Sequence, residues 1–474
     1  MHYIDKFLEY EKRKELLNKN INGFYFWGYL RFTLYSEILN KKENLQDHRK
    51  MVSKRDLFKS LFLNIFRHNP FVGNKNIDLL VLPHNRKIKN GEYFECIYTD
   101  PIIRNLEDSE YIVFESAFEG KHYKNLNNNV RYLDLIDIVG YVGAKLIRKK
   151  EVIELINIEI KKIIKDLDDV FGISIDENKI LTFIQTLYKR WLIQRILIEK
   201  LITRFKPKCI IEVVYYSLSN MIVNEIANDL KITTIELQHG TMGKYHAAYN
   251  YSEKVRLPYL PNKMFLFSDY WKANTKLPQS EDNLIVTGFP YIDNKIIEIE
   301  HKSKEKVGRS KKTILFISQL TIGELLSKFA CEFIDRIKGS TDYKIIYKLH
   351  NSEFSTWRER YPWLVAIEDQ IEIIDDNDRS IYEFFRISDI QIGVYSTAIF
   401  EGLAFNLKTF LVDSYGIEYM HDLIKSQYAT LINSPCELIE KLSLDDLYTG
   451  NRSEFWKLDS TVTILENLDS IMKS

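Results

Sequence analysis

The sequence predicts an α/β protein built from two parallel-sheet halves, and three stretches carry that prediction. Residues 209–215 (CIIEVVY), a helix over 220–230 and a strand over 233–237 form one strand-helix-strand unit. Residues 313–317 (TILFI) run into a small polar loop and a helix from Glu324. Residues 388–413 (SDIQIGVYSTAIFEGLAFNLKTFLVD) repeat the pattern: a strand at 390–394, a turn at 395–397, a helix at 398–405 and a strand at 409–412. The strand runs are short and continuously apolar, which is the mark of strands covered on both faces, as in parallel sheets. In such a sheet every strand-to-helix turn lies at the carboxyl edge, where open α/β folds bind ligands.

Size and charge narrow the function classes. A chain of 474 residues holds two or three domains, each with its own core. It is 45% hydrophobic and 28% charged, within the range of globular proteins. Its 66 basic and 66 acidic residues cancel, which argues against a dedicated nucleic-acid binder. Cys96, Cys209, Cys331 and Cys436 form no CxxC pair, so neither a disulfide framework nor a zinc site is expected. The charged first 14 residues do not resemble a signal peptide, and no run of about 18 apolar residues suggests a membrane span. The expected location is the cytoplasm, extending to the inner face of the plasma membrane.

Taken in order, the chain starts with a polar helical stretch at 1–20 and an aromatic-rich helix at 21–39 containing Arg31. That helix packs on the first domain or lies on a membrane surface. Residues 41–68 carry eight Lys or Arg against Glu43, Asp47 and Asp56, a solvated face or a contact for anionic lipid. The first buried strand is 77–83, followed by His84, Asn85 and Arg86. Further strands at 93–98 and 110–114 place His84, Arg86 and Asp100 at strand ends. Residues 138–205 read as two long helices split at 171–176, a packed hairpin inserted in the domain. Short strands at 263–267 and 284–286 close the first half, and the charged segment 298–312 is the expected linker. Strands at 344–348 and 371–374, a helix at 380–386 and a terminal helix at 460–474 complete the second half.

The candidate site residues are set by these positions. The strand at 233–237 delivers Gln238, His239, Gly240 and Thr241 beyond its carboxyl end, with Glu236 just inside it. An imidazole on a glycine-flanked polar loop is suited to taking a proton from an attacking hydroxyl, or it bonds a backbone carbonyl. Lys348 and His350 leave the next strand on one face and suit a diphosphate. Ser396 and Thr397 open a helix, where free N–H groups and hydroxyls meet an anion or simply cap the helix. Glu401, four residues on, shares their helical face and fits a ribose or sugar hydroxyl. Gln319 lies in the loop after the 313–317 strand, which is not a GxGxxG fingerprint.

Four of these segments occur in a recognisable order: HGT at 239–241, TGFPYID at 287–293, KLHN at 348–351 and VYST at 394–397 followed by Glu401. They resemble bacterial surface-polysaccharide transferases of the GT-B class, which include capsule glycosyltransferases and the teichoic-acid CDP-glycerol glycerophosphotransferases. In the latter the pattern is HGT, TGYPRND, KPHP and DYSS with a following acidic residue. KLHN lacks both prolines of KPHP, and Glu401 followed by Gly402 looks more like the sugar-nucleotide transferases.

The resemblance implies two Rossmann-like domains facing across a cleft. The expected boundaries are 1–70 for the N-terminal helices, 71–300 for an acceptor domain with the helical insertion 138–205, 301–450 for a nucleotide-donor domain, and 451–474 for a terminal helix. It implies a nucleotide-sugar donor, an oligosaccharide or lipid-linked acceptor, and no cofactor or metal, because no DxD-type motif stands in a matching position. Lys348, His350, Ser396 and Thr397 would then contact the diphosphate, Glu401 the ribose and Gln319 the donor. His239 would be the base, with Asp100 and Glu236 as alternatives, and Gln238, Gly240, His84 and Arg86 would shape the acceptor side. A CDP-linked polyol-phosphate transferase, a nucleotide-sugar epimerase and a non-catalytic sugar-nucleotide binding protein of a capsule assembly complex share the architecture.

Overall fold

A computed structural model describes residues 2–43, 68–73, 76–85, 87–118, 120–127, 129–301, 311–338, 342–443 and 452–473, without the side chains of 299–301 and 452. Arg86, most of the basic run 41–68 and most of the expected linker lie outside the described residues. The chain forms two compact units: Met1–Phe267 with Lys272–Gly288 and Asp459–Ser474, and Ser268–Trp271 with Phe289–Leu458. The division thus falls at Gly288 rather than at 300, and the terminal helix Ser460–Lys473 belongs to the first unit.

The first unit is a seven-stranded parallel sheet. Its strands are β1 (Leu79–Leu82), β4 (Tyr111–Glu115), β5 (Val130–Tyr132), β6 (Cys209–Glu212), β7 (Thr233–Leu237), β8 (Lys263–Leu266) and β9 (Leu284–Val286), in the order β5-β4-β1-β6-β7-β8-β9. Counted by chain position this is 3-2-1-4-5-6-7, the Rossmann order with one strand added, and it reverses between β1 and β6. The expected strand at 93–98 instead forms a separate antiparallel hairpin, β2 (Ile88–Asn90) with β3 (Tyr93–Glu95). Its residues are largely exposed, so it had no second face to bury.

Around this sheet pack α1 (Tyr3–Arg13), α2 (Phe26–Lys42), α3 (Asp134–Ala144), α4 (Lys150–Phe171), α5 (Glu177–Phe205) and α6 (Leu218–Asp229). The expected two-helix insertion is three helices, because the chain breaks again at Lys145–Lys149 as well as at Gly172. Nor is it an appendage. It is the crossover that returns the chain from edge strand β5 to a place beside β1, as parallel pairing requires. Ile198, Leu201, Ile202 and Phe205 of α5 share one core with Leu80, Leu82 and Ile112 of the sheet.

The aromatic helix is also a core element. Phe26, Trp27, Tyr29, Leu30, Leu34, Tyr35 and Ile38 of α2 are all buried and Phe32 is half-buried, so this helix packs into the core of the first unit. Arg31 is buried with them. Its Nε and Nη2 meet Glu11 of α1 at 2.7 and 3.2 Å, and Trp27 Nε1 donates to the same carboxylate at 2.6 Å. The guanidinium also donates to the carbonyls of Ala247 and Asn250 and lies 4.1 Å over the Tyr251 ring.

The second unit is a six-stranded parallel sheet of β10 (Lys312–Ile317), β11 (Tyr343–Lys348), β12 (Glu372–Ile374), β13 (Ile390–Gly393), β14 (Lys408–Val412) and β15 (Thr430–Ile432). The order is β12-β11-β10-β13-β14-β15, which is 3-2-1-4-5-6 and reverses between β10 and β13. α7 (Gly323–Arg336), α8 (Ile381–Ile387) and α9 (Thr397–Ala404) follow their strands at one edge. α9 lies close against β13 because Gly402 has no side chain: a Cβ there would stand 2.0 Å from Gln391 Oε1. Gln391 Nε2 in turn holds the Ile399 carbonyl and the Thr409 hydroxyl, each at 2.8 Å.

Removing a single partner from a buried ion pair leaves the other charge uncompensated. Arg31→Leu is therefore expected to lower stability by about 3–5 kcal/mol in chemical denaturation. A loss below about 1 kcal/mol would mean that the pair does not hold the first unit together.

Candidate active site

In the first unit, β1, β6 and β7 deliver their loops to one carboxyl edge. β7 ends at Leu237, and Gln238 pins the loop beyond it: its Oε1 accepts from Phe267 N and its Nε2 donates to the Gly240 carbonyl, both at 2.9 Å. His239 is thereby held with its carbonyl accepting from the Tyr98 hydroxyl at 2.7 Å. His84, after β1, places its ring 5.9 Å from that of His239. After β6 the chain passes through Val214 with φ +64°, a costly conformation for a β-branched residue. Asn220 Nδ2 holds this turn by donating to the carbonyls of Val213 and Val214, and the turn brings Tyr216 to His239.

The hydrogen bonds of Tyr249 fix the imidazole. The Tyr249 hydroxyl donates to Glu236 Oε1 at 2.6 Å, so its oxygen is left to accept from His239 Nδ1–H at 3.0 Å. The ring nitrogen with the lone pair is then Nε2, which faces the Tyr216 hydroxyl at 3.4 Å. Burial pushes the His239 pKa well below the ordinary histidine range, and the neighbouring His84 and His246 add to this. Glu236 is fully buried and its Oε2 has no hydrogen-bond partner among the described residues. Burial pushes its carboxyl up to about 8, against the lowering effect of the Tyr249 hydroxyl and the backbone N–H groups of Tyr215 and Val214.

Asp100 belongs to a different cluster. It is buried at the start of a four-residue helix, where it accepts from Cys96 N at 2.9 Å and from the Thr99 hydroxyl at 3.3 Å. Burial raises it to about 6, and the charges acting on it are those of Lys87, Glu95 and Arg104. It closes its own turn, and the contacts of His239 do not include it.

In the second unit three adjacent strands feed one edge. Ser318 after β10 is tied to β11 by donating its N–H to the Lys348 carbonyl at 3.0 Å, and Thr321 meets the Tyr395 hydroxyl after β13 at 2.7 Å. Lys348 is buried, and its Nζ donates to the Asp376 carbonyl at 2.6 Å. Burial lowers its ammonium to about 8, opposed by Asp376 and Asp375. His350 Nδ1 lies 2.6 Å from the Ser352 hydroxyl. Ser396 caps α9 by accepting from Ala398 N at 3.2 Å, which leaves its own proton to donate, and Thr397 is the first helical residue. Glu401, on the same helix, is half-buried. Burial raises its carboxyl to about 7 while the Tyr382 hydroxyl of α8 donates to it. Gln319 presents an Oε1 without a hydrogen-bond partner among the described residues.

The organiser of this edge is Glu353, for which the sequence alone suggests no role. It is fully buried and accepts from His350 N at 2.7 Å, the Tyr361 hydroxyl at 2.7 Å and the Ser318 hydroxyl at 3.1 Å. A Cβ on Gly323, which opens α7, would stand 2.1 Å from its Oε1. Tyr98, Tyr216 and Tyr249 escaped sequence reasoning in the same way. In a chain with 29 tyrosines, nothing in their spacing marks them out.

No family model matches the chain, and no curated protein does. Solved structures do match. A putative UDP-N-acetylglucosamine 2-epimerase from Listeria monocytogenes is 13% identical with a TM-score of 0.53, over 84% of this chain and 97% of that one. UDP-GlcNAc 2-epimerase from Neisseria meningitidis bound to UDP-GlcNAc is 14% identical with a TM-score of 0.49, over 83% and 99%. The wall teichoic acid polymerase TagF is 14% identical with a TM-score of 0.46, over 94% and 97%. At these identities the likeness is one of fold. It agrees with the two Rossmann strand orders in placing the chain in the GT-B fold class.

The imidazole's surroundings give a direct test. A histidine with a depressed pKa stays neutral in the folded protein while the unfolded chain takes up a proton near pH 6.5. Stability is therefore expected to fall as pH drops below about 6.5. The His239 ring signal in an NMR titration should show no protonation between pH 8 and about 6. A midpoint at or above the ordinary value would contradict the half-buried, tyrosine-bridged arrangement.

Proposed function

We propose that the protein is a glycosyltransferase that moves a sugar from a nucleotide-sugar donor to a hydroxyl of a growing surface polysaccharide or its lipid-linked precursor. The observation that supports this most is the neutral imidazole of His239 with its tautomer set by Tyr249 and its lone pair at Nε2. In this reading the acceptor oxygen forms a bond to the anomeric carbon while the bond from that carbon to the diphosphate oxygen breaks. The acceptor proton passes to His239 Nε2, and the nucleoside diphosphate leaves with the electron pair. Its charge is met by the ammonium of Lys348, with His350 and the hydroxyls of Ser396 and Thr397 donating, as preorganised electrostatic stabilisation without a metal. Glu401 accepts from a ribose hydroxyl, and Gln319 Oε1 from a further donor group. Gln238, Gly240 and His84 shape the acceptor side.

Two other reactions fit particular observations. The collinear HGT, TGFPYID, KLHN and VYST segments favour a transferase of CDP-linked polyol phosphate. The fold likeness to the Listeria protein favours an epimerase, which acts without an acceptor. Incubation with UDP-, GDP-, CMP- and CDP-linked donors, with and without an oligosaccharide acceptor, separates the three. A sugar-nucleotide binding protein with no activity binds a donor and turns nothing over. The basic run 41–68 is proposed to meet anionic membrane, and liposome flotation tests that.

His239→Ala is expected to lower turnover at least about a hundredfold while the unfolding midpoint stays put. Near-normal turnover would remove His239 as the base. Glu236 carries its proton below about pH 8 and loses it above. Its anion, acting through Tyr249, makes the imidazole more basic. Turnover should therefore rise with pH across that range, and Glu236→Gln should flatten the rise. A profile that Glu236→Gln leaves unchanged would show that the carboxyl does not act on the reaction.

A further inference from the structure

The first unit also has a cavity at the other edge of its sheet. It has a volume of about 610 Å³ and is bounded by Thr233 at the start of β7, Lys263 at the start of β8, Asn283 just before β9 and Asn228 near the end of α6. β7 runs from this cavity to the His239 loop. At about 3.3 Å per residue its five residues put roughly 15 Å or more between the two. The cavity is therefore not part of the site around His239.

Its lining is distinctly charged. Lys231, Lys254, Arg256 and Lys263 line it, and among the described residues no carboxylate does, in a chain whose charges sum to zero. Lys254 is paired with Glu281 at 2.9 Å, and Lys263 donates to Asn283 Oδ1 at 2.9 Å. Lys231 and Arg256 are exposed and have no ion pair among the described residues. Two uncompensated cations over a concave surface select for an anion.

A second feature asks for more than charge. Gln279 lines the cavity and is 8% exposed. Its Nε2 donates to the Pro261 carbonyl at 3.0 Å, whereas its Oε1 has no partner among the described residues. A buried acceptor left unmatched is costly and calls for a donor. A bare anion such as a phosphate dianion has none, but a hydroxyl does. Among the described residues the lining carries no aromatic ring on which a nucleobase would stack. Aliphatic groups such as Leu257 and Pro278 supply an apolar wall of the kind that C–H faces pack on. The volume lies within the range of small-ligand sites, about 300–1,000 Å³.

We propose that this cavity binds an anionic saccharide, a hydroxyl-rich sugar carrying a phosphate or carboxylate, at a site separate from the reacting edge. Lys231 and Arg256 hold the anionic group, and Gln279 Oε1 accepts from a sugar hydroxyl. If the protein elongates an acidic polysaccharide, which rests on its being a glycosyltransferase, the cavity retains a segment of that chain between additions. The binding itself does not depend on which reaction the protein performs.

Isothermal titration of the full chain with trigalacturonate, glucose 1-phosphate and neutral maltotriose tests this. The expected result is saturable one-site binding of an anionic probe and none of maltotriose. Lys231→Ser combined with Arg256→Ser should weaken it at least tenfold, and His239→Ala and Lys348→Met should leave it in place. Tighter binding of trigalacturonate points to a glycan segment, and tighter binding of glucose 1-phosphate to a free sugar phosphate. Both altered side chains are exposed, so the double variant should keep its unfolding midpoint; if it does not, Arg256→Glu alone must give the same loss. The proposal is overturned if neither anionic probe binds, if maltotriose binds as well, if binding survives the cation variants, or if His239→Ala abolishes it. Because the readout is binding, a protein inactive with every donor still answers the question.

Discussion

The buried pair between Arg31 and Glu11 is the interaction on which the candidate centre of the first unit depends. Two charges are taken out of water, and each is fully used: Glu11 accepts from Arg31 and from Trp27, and Arg31 donates onward to the carbonyls of Ala247 and Asn250. Those carbonyls flank Tyr249. Asn250 extends the bracing by donating to the carbonyls of Gly243 and His246 and accepting from Lys276 N. The N-terminal helices therefore do more than add core. They immobilise the backbone that carries the hydroxyl bridging Glu236 and His239, and an imidazole with a fixed tautomer is one of the preorganised groups that proton transfer requires.

Each unit arranges its loops by the same device. A buried carboxylate sits beneath the carboxyl edge of the sheet and gathers donors from separate loops. In the first unit Glu236 accepts from the Tyr249 hydroxyl and Tyr215 N. In the second, Glu353 accepts from the Tyr361 and Ser318 hydroxyls and His350 N. Burial raises the pKa of both, and tyrosine hydroxyls oppose the rise. A network of this kind is satisfied only when the loops adopt one relative placement, so it specifies geometry more than it adds stability. Gly323 and Gly402 serve the same end by letting helices approach the buried Glu353 and Gln391 closely.

Much of this was legible in the sequence, and the reasons differ by element. Short apolar runs such as 209–215 and 390–394 announce strands because a parallel strand must be apolar on both faces. His239, Ser396 and the strand-end Lys348 are then placed as well, because sheet polarity sends every strand-to-helix turn to one edge. Strand Val130–Tyr132 was invisible, being three residues long with Arg131 in its middle. The hairpin at 88–95 imitated a sheet strand in composition. Asp100 imitated a catalytic carboxylate because position at a strand end says nothing about partners, which here are Cys96 N and the Thr99 hydroxyl. Tyr249 and Glu353 act through hydrogen bonds to residues in other loops, and no local pattern encodes that.

The two edges differ in electrostatic character, and this bears on which partner each can serve. Around His239 the titratable groups are held neutral: the imidazole pKa is pushed down and the Glu236 and Tyr249 pKa values up, all chiefly by burial. A neutral, partly desolvated edge does little to attract a nucleotide's charge, and under the proposed reading it suits a hydroxyl. The edge of the second unit holds Lys348, whose ammonium is lowered to about 8 and is readily driven back to its charged form by an arriving diphosphate. Under the proposed donor role of this edge, binding the anion and protonating the lysine would be one linked event, and donor affinity would weaken as pH rises above about 8. Under the same proposal the opposite sign holds at His239, where ionisation of Glu236 at higher pH would strengthen the base.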